Sequence, residues 1–343
     1  MSHGPKVNRE RYSRQMLFQP IGSEGQERLL RAKAVIIGCG ALGTAQANQL
    51  ARAGVGTLRL VDRDYVEESN LQRQMLFDEA DAAESLPKAV AAEAKLRRIN
   101  SDVHVEGVVA DVDSRNIEGL VAGFDVILDG TDNFETRYLL NDAALKLGIP
   151  WVYGAVVGSY AVTLTILPGR TACLACVFPD PPQGMHPTCD TAGVIAPAVE
   201  WAAALQVTEA LKILLGREAE LHGSLLAADL WKNQFQQVRP QRNAACRACG
   251  ALDFVHLKEG ASSAISLCGR NAVQIHQRES RQFDLKALQS RLQRFGPVRA
   301  NAYLLKCSLD AYELTVFPDG RAIIRGTQDP AVARGLYAKY IGA

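Results

Sequence analysis

The sequence predicts the α/β class: a doubly wound, mainly parallel sheet followed by a smaller α+β domain. Three observations carry this expectation. Short apolar, β-branched runs alternate with longer helical patterns through the first half, a glycine turn links the first such run to the first helix, and the texture changes after Gly250. Strands that alternate with helices pair in parallel through right-handed crossovers and bind ligands beyond their carboxyl ends.

Taken in order, strands are expected over 34–38 (AVIIG), 57–62 (TLRLVD), 103–109 and 125–129 (DVILD). Each is short and bounded by turn or helix signals, as buried parallel strands are. Helices are expected over 41–53, stopped by Gly54 and Gly56; over 86–100, where Pro87 suits a first turn; and over 134–147. The segment 151–167 is strand-like, and 168–187 is rich in proline, glycine and cysteine and reads as an irregular loop. A long, mostly apolar helix should follow over 194–215, ended by Gly216, then strands over 224–230 and 235–238. Beyond 250, strands over 303–307, 313–317 and 322–324 and amphipathic helices over 284–294 and 329–340 compose a small α+β domain. The expected domains are therefore 1–250 and 251–343.

At 343 residues and 48% hydrophobic composition the chain can bury a sizeable core, so disorder is not its main theme. Its 38 basic and 37 acidic residues leave a formal charge of +1, and no global field draws in nucleic acid or an anionic membrane. No apolar run reaches the roughly 18 to 20 residues that cross a bilayer, and the first residues lack the apolar centre of a signal peptide. A cytoplasmic location is expected, without nucleic-acid or membrane partners.

Gly38-Cys39-Gly40-Ala41-Leu42-Gly43 leaves a strand and opens a helix, and Asp62 closes the next strand. This is a Rossmann-like nucleotide signature. Glycines admit the phosphates, the helix N-terminus favours their charge, and a carboxylate at the second strand tip hydrogen-bonds a ribose. Alone, the motif fits an NAD-dependent oxidoreductase. However, Asp64, the run Ser69-Asn70-Leu71-Gln72-Arg73-Gln74, Pro87-Lys88 and Gly130-Thr131-Asp132-Asn133 also follow strand ends or open helices, so they can converge on one crevice. A triphosphate uses such groups: Arg and Lys offset charge on phosphoryl oxygens, and an Asp holds Mg2+. Read singly, Arg73 and Lys88 are solvated charges and Asp132 is a helix cap.

Cys173-x-x-Cys176 and Cys246-x-x-Cys249 form a four-thiol set suited to a closed, structural Zn2+ site. It would join the proline-rich loop to the segment after the last core strands. Cys189 stands at a loop end shortly before a helix N-terminus, which favours the thiolate. Cys39, Cys268 and Cys307 read as small core residues. The six histidines are scattered and receive none of the chemistry.

The sequence resembles the MoeB/ThiF family, bacterial relatives of the ubiquitin-activating enzymes, over about its first 250 residues. The resemblance rests on Arg11-Tyr12-Ser13-Arg14-Gln15, the glycine turn, Asp62 to Gln74, Pro87-Lys88, Thr131-Asp132-Asn133, the paired thiol motifs, and Thr188-Cys189-Asp190-Thr191-Ala192-Gly193-Val194. It implies ATP-dependent adenylation of the C-terminal glycine carboxylate of a ubiquitin-like sulfur-carrier protein. By the same resemblance Asp62 binds the ribose, Asn70, Arg73 and Lys88 the triphosphate, and Asp132 the Mg2+. Arg14 would reach the nucleotide of a neighbouring subunit, which implies a homodimer. The family often has a glycine where this chain has Ala41. Cys189 matches a cysteine that engages the activated carrier in ThiF-like members and is dispensable for adenylation in MoeB-like ones; both roles stay open. The run 191–215 and the C-terminal extension resemble ThiF proteins of thiamine biosynthesis, which favours a ThiS-type carrier over a MoaD-type one. An NAD-dependent oxidoreductase and a non-catalytic scaffold are the alternatives of other classes.

Overall fold

The computed structural model describes residues 8–180, 192–258, 264–267, 271–275 and 283–342. It divides into two compact units, Met1–Glu259 and Gly260–Ala343.

The first unit is built on an eight-stranded sheet. Its strands are β1 (Lys33–Ile37), β2 (Thr57–Asp62), β3 (His104–Val109), β4 (Val126–Asp129), β5 (Trp151–Val157), β6 (Tyr160–Ile166), β7 (Leu225–Asp229) and β8 (Gln234–Val238). They lie in the order β3-β2-β1-β4-β5-β6-β7-β8. The first five pair in parallel and the last three antiparallel. Five helices matter for the site: α1 (Gly22–Arg31), α2 (Ala41–Ala53), α3 (Lys88–Ile99), α4 (Phe134–Leu147) and α5 (Ala196–Leu214).

The sheet is doubly wound because β1 alternates. Ala34 and Ile36 enter a core with Leu29, Leu50, Leu96 and Val207 from α1, α2, α3 and α5. Val35 and Ile37 enter another with Tyr138 and Leu140 of α4. Successive strand side chains point to opposite faces, so a run apolar at every position needs helices on both. Each fully buried Leu or Ile contributes on the order of 1.5–3 kcal/mol. α2 stops at Gly54, whose φ of +80° suits glycine and above which a Cβ would lie 2.7 Å from the Tyr12 ring.

The structure adds elements that the sequence pattern conceals. α1 lacks a side-chain cap and buries Gly25 and Gln26 beside Leu29 and Leu30, so its apolar stripe is thin. Short helices at Glu79–Ala83, Ile117–Val121 and Leu174–Val177 fall below the length at which periodicity can be read. The long helix starts at Ala196 rather than 194, because Val194 bridges to Gly158 and Ile195 N–H donates to the Gly158 carbonyl at 3.0 Å. The boundary between units also lies beyond 250: the turn Val255–Lys258 stays with the first unit, where His256 N–H donates to Asp142 at 3.1 Å and the His256 ring stacks 5.2 Å from Tyr138.

The second unit is a six-stranded antiparallel sheet of β9 (Ala264–Leu267), β10 (Ala272–Ile275), β11 (Val298–Ala300), β12 (Leu305–Leu309), β13 (Tyr312–Val316) and β14 (Ala322–Arg325), ordered β11-β12-β13-β14-β10-β9. Helices α6 (Leu285–Leu292) and α7 (Pro330–Tyr340) begin at Asp284 and Asp329, whose side chains accept the Lys286 and Ala331 N–H groups. Cys307 is buried in this unit's core, as Cys39 is in the first; Cys268 lies outside the described residues. No helix among the described residues is long and apolar enough to cross a membrane.

Candidate functional site

The glycine turn closes on backbone. A Cβ at Gly38, whose φ is +91°, would lie 2.5 Å from the Gly130 carbonyl oxygen; one at Gly43 would lie 1.9 Å from the Gly38 oxygen; one at Gly130 would lie 2.3 Å from the same atom. These three glycines knit the ends of β1 and β4 to α2. Gly40 differs, because a Cβ there would meet only Gln74 Nε2, at 3.9 Å. Protein packing does not require this glycine, and the space above it is what a close-lying phosphate would use. Among the described residues no side chain caps α2, and an uncapped helix start suits an anion. Ala41 packs its methyl against the cluster that includes Leu42, Ala198 and Ala202, so the fold accommodates this departure from the family pattern.

Asp62, at the tip of β2, accepts the Cys39 N–H at 2.6 Å and the Asp64 N–H at 2.7 Å. Burial pushes its pKa up, and nearby Lys88 and the two amide bonds oppose this. Lys88 opens α3 after Pro87 and is only 4% exposed. Its N–H donates to the Asp64 carbonyl at 2.9 Å, and its Nζ stands 3.5 Å from Asp64 Oδ2. Lys88 is therefore not a solvated surface charge.

The run 69–74 divides by role. Asn70 is buried and closes a capping box with Glu67, accepting its N–H at 3.2 Å. Leu71 packs against the core, while Ser69 and Gln72 are exposed. Arg73 is half-buried and donates to the Ser69 carbonyl at 2.7 Å. Gln74 is buried, and its Oε1 has no partner among the described residues.

At the end of β4 the helix cap is Asn133, not Asp132: its side chain accepts the Thr136 N–H at 2.8 Å. Asp132 is left exposed, close enough to Arg63 to help raise the pKa of that guanidinium, behind the closer Asp111 and Asp64. The sequence reading missed the groups beneath this loop. Asp129 and Arg137 form a buried pair, Nε to Oδ2 at 3.3 Å, and Gln46 and Gln206 both donate to the Asp129 carbonyl. An acid closing β4 and an Arg four residues after Asn133 were the available signals.

Arg14 is exposed on the short helix Ser13–Met16, followed by the exposed Leu17 and Phe18. Cys189 lies outside the described residues. Cys173, Cys176, Cys246 and Cys249 do come together: their Sγ atoms all lie within 4.8 Å of one another, with neighbouring distances of 3.8, 3.7 and 3.4 Å. Sulfurs at about 2.3 Å from a tetrahedral ion stand about 3.8 Å apart, so the cluster has the size of a four-thiolate metal site. Burial, with repulsion from the neighbouring thiols, pushes Cys173 well up, and burial takes Cys249 to about 11. Leu174 N–H donates to buried Asn141 at 2.9 Å, which fixes the first pair of thiols to α4.

Residues 12–248 match the ThiF family model. The chain is 52% identical over 336 residues to the sulfur carrier protein ThiS adenylyltransferase of Bacillus subtilis strain 168, a match that covers 97% of this chain and 99% of that protein. It is 38% identical over 242 residues to the protein of the same name from Escherichia coli K12, covering 70% and 94%. The solved structure of E. coli MccB with ATP superposes with a TM-score of 0.62 at 25% identity, covering 71% of this chain and 75% of that one. The matched segment holds the whole crevice and all but the last of the four thiols, and the chain belongs to the ThiF family.

Proposed function

We propose that this protein adenylates the C-terminal glycine carboxylate of a ubiquitin-like sulfur-carrier protein of the ThiS type, consuming ATP for thiamine biosynthesis. The observation that carries the reading is the near-full-length similarity to the B. subtilis enzyme, together with a crevice whose vacant glycine, uncapped helix and buried Lys88 suit a triphosphate. Asp62 would hold the ribose from its anchored position, while Lys88 and Arg73 lie along the phosphates with Asn70 and Gln74 shaping the wall. The carrier's carboxylate, ionised near neutral pH, forms a bond to the α-phosphorus as the bond to pyrophosphate breaks. No general base is required. Lys88 and Arg73 offset the charge that grows on the phosphoryl oxygens and the leaving group.

Asp132 fits a hard divalent ion, being an exposed carboxylate that caps no helix. Asp132 would hold Mg2+, which would supply positive charge to offset that of the phosphates. The four thiols would hold Zn2+ as a closed structural site. Arg14, beside exposed Leu17 and Phe18, would complete the crevice of a second subunit in a homodimer.

An ATP:pyrophosphate exchange assay with a purified ThiS-type carrier tests this reading. Exchange is expected with the wild type, absent in Asp132→Ala, strongly reduced in Arg73→Ala and retained in Cys189→Ala. Faster exchange with a MoaD-type carrier would reassign the substrate, and unchanged exchange in Asp132→Ala would remove that residue from the mechanism.

A further inference from the structure

β4 and β5 pair only at Ile127–Trp151 and Leu128–Val152, after which side chains bridge them. Gln206 Nε2 donates across the opening to the Asp129 carbonyl at 3.0 Å and the Val152 carbonyl at 3.1 Å. Further along, Arg137 spans it. Its Nη2 donates to the Thr131 carbonyl at 2.7 Å and the Gly154 carbonyl at 3.3 Å, and its Nε to Asp129 Oδ2 at 3.3 Å. The Asp129 carboxylate in turn accepts the Thr131 N–H at 2.9 Å, the Thr131 hydroxyl at 2.7 Å and the Gly154 N–H.

Both partners are buried: Asp129 is inaccessible and Arg137 is 5% exposed, its guanidinium 5.4 Å from the Phe134 ring and 5.5 Å from the Tyr153 ring. A buried ion pair is a poor source of stability, because desolvation offsets its attraction. What it holds is a better account of its presence. Thr131 is tied at its N–H, hydroxyl and carbonyl, and Asn133 is tied as the cap of α4. Asp132 stands between these two fixed residues and faces solvent.

We infer that Asp129 and Arg137 are positioning residues for Asp132, fixing the loop that carries its carboxylate against the middle of β5 at Gly154. The inference rests on the proposed role of Asp132 in holding the nucleotide-bound cation. A planar fork reaches these three acceptors on β4, the loop after it and β5, so lysine cannot replace Arg137 even though it keeps the charge.

The test is a double-mutant cycle in full-length protein, read by ATP:pyrophosphate exchange with the carrier at varied Mg2+. Arg137→Lys should lower kcat on the order of 10²-fold, as a misplaced catalytic group does. It should also raise the Mg2+ concentration needed for half-maximal exchange, while the KM for the carrier stays within about twofold. In an Asp132→Asn background the same substitution should add less than about twofold. Equal losses in both backgrounds, or an unshifted Mg2+ requirement in Arg137→Lys, would overturn the inference and leave the role of Asp132 standing. Full activity in Asp132→Asn alone would overturn both. Should Arg137→Lys fail to fold, Thr131→Val, which removes one donor to Asp129, carries the same test with a smaller loss.

Discussion

The crevice and the thiol cluster belong to one unit, yet they are held in opposite ways. The crevice is finished by the chain itself: Gly38, Gly43 and Gly130 close on one another's backbone, Asp62 is anchored by two amides, and Lys88 is held beside Asp64. The thiol cluster is gathered from two segments about 70 residues apart, and burial raises the pKa of Cys173 and Cys249. The lesson is that the crevice is held by contacts within the chain, whereas the proposed role of the thiol cluster would tie its closure to a metal ion.

Substitutions can separate the two, and the largest effect should come at the thiols. Cys246→Ser should abolish the binding of about one Zn2+ per chain and lower stability by several kcal/mol, read by metal analysis and thermal unfolding. Gly43→Ala comes next: a Cβ 1.9 Å from a carbonyl oxygen should cost about 3 kcal/mol, since the backbone of β1 must move. Gly40→Ala should leave the unfolding midpoint nearly unchanged and weaken ATP binding about tenfold, because the room a Cβ would fill is not packed by the protein and is the space proposed for the nucleotide. If Gly40→Ala and Gly43→Ala behave alike, the distinction between closing glycines and a receiving glycine fails.

The smallest effect concerns pH. Burial lowers the pKa of His222, against the attraction of Glu209, whose Oε2 lies 3.4 Å from Nε2, while Nδ1 accepts the Ser224 N–H. A histidine lowered in the folded state takes up its proton first in the unfolded chain. Its contribution is therefore complete above about pH 6.5 and is lost as the pH falls toward the lower folded value. A scan of unfolding midpoints from pH 7 to 5 should show a shallower decline in His222→Gln than in the wild type.

The parallel sheet and its glycine turn were legible because short β-branched strands, a glycine at every close approach and a helix start in register all point the same way. The same holds for the four thiols, whose paired spacing predicts the cluster they form. Other features were opaque for physical reasons. Asn133 rather than Asp132 caps α4, a choice made by which side chain reaches the Thr136 N–H and not by composition. Asp129 and Arg137 read as ordinary charges until the separation of β4 and β5 shows what they span. In the second unit, β9, β10 and β11 hold three or four residues each, too few for alternation to register.

A crystal structure with a non-hydrolysable ATP analogue and Mg2+ tests the central claim most directly. The account predicts the phosphates over Gly40 against the first amides of α2, within reach of Lys88 and Arg73, with the cation on Asp132. A nucleotide bound elsewhere, or a nicotinamide ring lying in that crevice, would contradict it.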